Sequence, residues 1–93
     1  MQTKICKVVA QTEVVRVPSK KNESGQTSKC TIRLRQLGSD YEDEYLCAMF
    51  GSLAESRLSE GTIVIASLRF STHENEGKVY QDVVCTEIVP IKN

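Results

Sequence analysis

Between Tyr45 and Ile91 the chain passes from strand to helix and back to strand, an order that few small folds accept. Tyr45 to Phe50 reads as a short strand. Gly51 breaks it, and Ser52 stands where it can cap a short helix with Leu53, Ala54, Arg57 and Leu58 along one side. Glu60-Gly61 ends that helix. Thr62 to Thr72 then reads as a long strand, Glu74 to Lys78 as a polar turn, and Val79 to Ile91 as a last strand in which Pro90 limits ladder bonding.

The upstream half supplies strands and no strong helix. Ile5 to Val17 is rich in β-branched residues and predicts one long first strand, with a phase slip near Ala10–Gln11 that marks a bulge or a strong bend. Pro18 ends it. Ser19 to Ser28 is a polar, glycine-containing stretch expected to be an exposed hairpin loop, and its Lys20 and Lys21 can reach a phosphate backbone or simply be solvated. In Lys29 to Leu37, Cys30, Ile32 and Leu34 fall on one face while Thr31, Arg33 and Arg35 fall on the other. Two arginines on the polar face of a strand can track phosphates or stack on bases, or pair with acidic neighbours. Gly38 to Glu44 holds Asp40, Glu42, Asp43 and Glu44 in a turn whose spacing matches no calcium loop. It is expected to be a solvated acidic turn that repels a polyanion, with no metal or other cofactor. Five strands with a lone helix between the third and fourth are the plan of the OB-fold, a small all-β Greek-key barrel, here one domain over residues 1–93.

Charge and cysteine usage narrow the function. The net charge is zero, yet residues 1–39 carry eight Lys/Arg against two Glu while residues 40–93 carry four against ten acidic residues. A zero sum argues against a generic polyanion binder, and the uneven split leaves room for a basic face. Four cysteines at 6, 30, 47 and 85 form no close pair, which excludes a zinc ribbon or a Cys-x-x-Cys redox motif; buried reduced thiols are expected. No run approaches the roughly 20 apolar residues of a membrane span. The start has no apolar signal region, so a cytoplasmic protein without membrane partners is expected. With one histidine, no glycine-rich phosphate loop and no carboxylate pair in an apolar setting, nothing points to an enzyme.

Phe50-Gly51-Ser52-Leu53-Ala54-Glu55 resembles the strand end and helix start of bacterial single-stranded DNA-binding proteins, where Phe-Gly-Lys-Leu-Ala-Glu is typical. Glu60-Gly61 is similar to the Lys-Gly opening the family's fourth strand, and Arg69-Phe70-Ser71-Thr72-His73 falls where Arg-Leu-Arg-Thr-Arg is common. Tyr80 and Thr86-Glu87-Ile88-Val89 resemble its closing strand. The resemblance covers Glu44 to Val89, about half of the chain, and implies an OB-fold that binds single-stranded DNA without sequence preference, usually as a homo-oligomer, dimer or tetramer. Departures are specific. There is no Trp; the family's third-strand Trp falls on Glu44, and Ser71 and His73 replace two of its three fourth-strand arginines. No acidic tail with an apolar tip follows the last strand, so no partner-recruiting role is implied, and the likeness extends to primosomal restart proteins and diverged members on phages.

Such binding needs aromatic platforms for bases and cations for the backbone. Phe50 and Tyr80 are the candidate platforms, Arg69 the best-matched cation, with Arg33, Arg35, His73, Lys20 and Lys21 behind it. Tyr45 shares a face with Cys47 and Met49 and is expected in the core, as is Phe70. The expected function is a binding module for single-stranded DNA, or RNA; the alternative is an OB-fold used for protein interaction or assembly that has lost DNA binding.

Overall fold

The computed structural model describes residues 2–20, 23–38 and 43–91. Six strands and one helical turn follow in the order β1 (Gln2–Gln11), β2 (Val15–Pro18), β3 (Gln26–Gln36), β4 (Glu44–Phe50), α1 (Ser52–Glu55), β5 (Ile63–Asn75) and β6 (Lys78–Pro90). The sheet runs β1-β5-β6-β4-β3-β2 and closes on itself because β1 also pairs with β3. Among the described residues all pairings are antiparallel except β4 with β6, which meet in parallel at Ala48 and Val84. This is the expected all-β barrel with one short helix between the same two strands.

The expected single first strand is two. The β1–β3 ladder shifts register between Val8 and Ala10 and ends at Gln11 opposite Ile32; pairing resumes at Val15 opposite Lys29. Four residue steps on the first strand thus face three on β3, so one extra residue bends the chain. Thr12 bridges the break: its amide donates to the Thr31 carbonyl (2.9 Å), and its hydroxyl accepts from the Thr31 amide (2.8 Å). The phase slip in the sequence marks the bulge between Val8 and Ala10, and the corner of the barrel strand follows at Thr12.

The helix is shorter than its apolar stripe predicts, and Ser52 does not cap it. Gly51 takes the cap position with φ 66 and ψ −140, a conformation that favours glycine, and no side chain caps the turn. The side chain of Gln11 ends the helix. Its Nε2 donates to the Ser56 carbonyl (2.9 Å) and its Oε1 accepts from the Leu58 amide (3.0 Å), tying to β1 the segment that leaves the helix at Ser56, whose own backbone is extended. Ala54 is buried against the core, and Leu53 and Leu58 pack on it. At the other end of β5, the hairpin turn tightens to Glu76-Gly77, both with positive φ as in a type I′ turn.

The interior follows the alternation in the sequence. Cys6 and Val8 of β1, Cys30, Ile32 and Leu34 of β3, Cys47 and Met49 of β4, Val64, Ala66 and Leu68 of β5 and Cys85 of β6 fill it. All four thiols are free and buried. Burial pushes Cys47 up to about 12 and Cys85 to about 11, and raises Cys6, because a thiolate there would be desolvated. Tyr45 and Phe70 meet edge-on with ring centroids 5.9 Å apart and pack against this core, and the Tyr45 hydroxyl donates to Gln36 Oε1 (2.8 Å). Among the described residues no helix is long and apolar enough to cross a membrane.

Candidate nucleic-acid interface

The residues that alternate with the core build the outer face. On β3 these are Lys29, Thr31, Arg33 and Arg35, facing Phe50, Ala48, Leu46 and Glu44 respectively across the ladder to β4. Across the parallel seam, Ala48 meets Val84 of β6, which in turn faces Arg69 of β5. Further along the β5–β6 hairpin, Ser71 faces Asp82 and His73 faces Tyr80. One row therefore crosses four strands, Thr31–Ala48–Val84–Arg69, with side chains of alternating chemistry above and below it.

A groove of about 390 Å³ lies over the seam, lined by Lys29, Ala48, Phe50, Arg69, Ser71, Asp82, Val83 and Val84. Phe50 is 42% exposed, and Lys29 Nζ lies 5.8 Å from its ring centroid. A cation at that distance of an aromatic face is attracted to it, so the pair offers a π-surface and a positive charge together. Arg69 lines the same groove and forms no ion pair among the described residues.

Other candidates are placed differently. His73 and Tyr80 stack on one another, with centroids 5.3 Å apart and planes 21° apart, and His73 Nδ1 lies 2.8 Å from Asp82 Oδ2. They sit four residues beyond the Arg69–Val84 row, about 13 Å along the hairpin at strand rise. Tyr80 keeps 46% of its surface exposed, but the imidazole is engaged by its own hairpin. Lys20 is exposed at a bend after β2, and Lys21 lies outside the described residues.

Arg33 and Arg35 are not open cations. Both reach Glu44: Arg33 Nε and Nη2 each lie 2.6 Å from Oε1, and Arg35 Nε and Nη2 lie 2.9 and 2.7 Å from Oε2. Arg35 and then Arg33, donating to it, hold the Glu44 carboxyl below its ordinary value. Pairing with acidic neighbours is one of the uses that the strand pattern leaves open, and the partner is Glu44, opposite Arg35 across the ladder. Lys29 and Leu46 were missed by sequence reasoning. Lys29 extends the Thr31–Arg33–Arg35 face by one alternation step, a signal that was present; Leu46 is 68% exposed although its neighbours in sequence are core residues.

With this geometry in place, a solved structure decides the fold class. The second OB-fold domain of replication protein A from Methanococcus maripaludis, solved by NMR, superposes with a TM-score of 0.68 at 15% sequence identity, covering 98% of this chain and 83% of that one. The barrel is an OB-fold. At that identity the likeness shows the fold. No protein-family model matches the chain, and no curated protein does.

Proposed function

We propose that this chain is a binding module, not an enzyme, for single-stranded nucleic acid, DNA first, held without sequence preference in the groove over the β4–β6 seam. The observation that carries the reading is the juxtaposition in that groove of an exposed aromatic, Phe50, with Lys29 over its ring and Arg69. A base can stack on Phe50, since every base has a π-face, while the two cations take the flanking phosphates. Tyr80 offers a second platform further along the same outer face. The similarity to a replication protein's OB-fold domain and the resemblance of residues 44–89 to single-stranded DNA-binding proteins of SSB-like or primosomal type support the reading. Fluorescence anisotropy of labelled oligo-dT at low salt tests it: saturable binding that weakens with salt is expected. Absence of binding at tens of micromolar protein would sink it.

A second reading, assembly with further copies of the chain in the cytoplasm, has its own observation. On the outer face of β1, β5 and β6, Ile5, Ile65 and Val89 form one cross-strand row and are 50%, 39% and 48% exposed. Lys7 flanks this row on one side and Glu87 on the other. Two copies packed face to face about a two-fold axis would bury the aliphatic row and bring Lys7 of each near Glu87 of the other. Light scattering tests this. A dimer or higher species that Ile65→Glu converts to monomer is expected; a monomer at high concentration refutes it.

A further inference from the structure

We infer that Arg33 and Arg35 form a ready-made cradle for one phosphodiester of a bound strand, and that the Glu44 carboxylate is its resting occupant, an internal competitor that sets binding strength. This rests on the proposed nucleic-acid reading and adds to it a site with a definite resting state.

The register builds the cradle. Arg35 stands directly opposite Glu44 across the β3–β4 ladder, and Arg33 projects from the same face two residues away, opposite Leu46. Each guanidinium takes a different oxygen of the carboxylate, Arg33 through two nitrogens at 2.6 Å from Oε1 and Arg35 through two at 2.7 and 2.9 Å from Oε2. A phosphodiester presents the same pattern, two non-bridging oxygens sharing one negative charge at a comparable spacing, and arginine's planar fork suits both anions. The three side chains remain 51%, 45% and 30% exposed for Arg33, Arg35 and Glu44, so an incoming strand can reach them without unfolding the barrel. Exposed ion pairs are weak, and an anion arriving as part of a strand already stacked on Phe50 competes at high local concentration. Arg33 and Arg35 lie along the same β3 face as Lys29, so a strand leaving the groove past Lys29 meets the cradle next.

The experiment compares the wild-type chain with Glu44→Gln, Glu44→Asp and Glu55→Gln, titrating labelled oligo-dT at several salt concentrations. Glu44→Gln frees both guanidiniums; it is expected to bind about fivefold to twentyfold tighter at low salt, with a salt slope steeper by about 0.7 to 1.4 for one or two newly engaged cations. Glu44→Asp, one methylene shorter, keeps the charge but spans the two arginines poorly and is expected to fall between. Glu55→Gln makes the same change in net charge on α1 and is expected to behave as wild type. The gain should vanish when Arg33→Gln and Arg35→Gln are also present, because the coupling is then removed. A role confined to joining β3 to β4 predicts the opposite pattern for Glu44→Gln, a lower melting temperature with unchanged affinity. Wild-type binding with no gain in Glu44→Gln, or a gain matched by Glu55→Gln, overturns the cradle and leaves the proposed function standing. No binding by any variant overturns both. Binding by Glu44→Gln alone supports the cradle with its carboxylate as occupant and overturns the groove reading for the wild-type chain.

Discussion

The two ends of the β3–β4 outer face have similar ingredients and opposite readiness. At one end Lys29 lies over Phe50 in an open groove shared with Arg69; at the other Arg33 and Arg35 are both held by Glu44. Both ends alternate with the same core strands, and both carry cations. The difference is one carboxylate placed by register opposite Arg35. A count of positive charges on a face therefore overstates what a polyanion meets, because a neighbouring strand can already have neutralised them.

This contrast can be broken in several ways. The largest effect should come from Ile32→Ala, since Ile32 is fully buried on β3 between Thr31 and Arg33 and supports both ends at once. A loss of about 2–5 kcal/mol of stability is expected from the deleted side chain and the cavity it leaves, measured by urea titration. Equal loss of binding at both ends would accompany it once the barrel opens. Phe50→Ala should leave the fold intact and remove the open end's platform, costing about 1–3 kcal/mol of affinity for oligo-dT by the usual value of base stacking. An unchanged affinity would move the binding site away from the groove.

Removing single cations sharpens the contrast. Arg69→Gln is expected to weaken binding and flatten the salt slope by about 0.7, the value of one phosphate contact on a single strand. Arg33→Gln should do much less, because in the resting protein its charge is already spent on Glu44. A larger loss for Arg33→Gln than for Arg69→Gln would reverse the assignment of the two ends. The smallest effect concerns the shared core. Its raised thiol pKa values mean that burial favours the protonated form, so the stability they contribute is fully present below about pH 9. It falls as pH rises through the range up to about 12 for Cys47 and 11 for Cys85. Alkylation by iodoacetamide at pH 8 should be slow in the native protein and fast after denaturation, and rapid native labelling would contradict burial.

Much of the fold was legible because period and burial are tied. The alternation of Cys30, Ile32 and Leu34, the break at Gly51 and the polar turn within Glu74 to Lys78 each state a local geometry that the barrel then uses, the turn tightening to Glu76-Gly77. The phase slip near Ala10 was legible as a bend. That a full break and a second short strand follow it was not, since these depend on a further extra residue between Gln11 and Val15 facing β3. The helix length was likewise hidden, because Gln11, some 45 residues away in sequence, supplies the bonds that stop it.

By itself the sequence determined which side of each strand is apolar, and so which residues could reach the outer face at all. Phe50, Arg33, Arg35 and Arg69 are there because side chains alternate along a strand. Tertiary structure alone decided which of them work together. Cross-strand register is a long-range property: it set Glu44 against Arg35, brought Ala48 to Val84 to make the seam, and laid Lys29 over Phe50. A shift of one residue in any of those ladders would turn the same side chains inward and leave the same composition with a different surface.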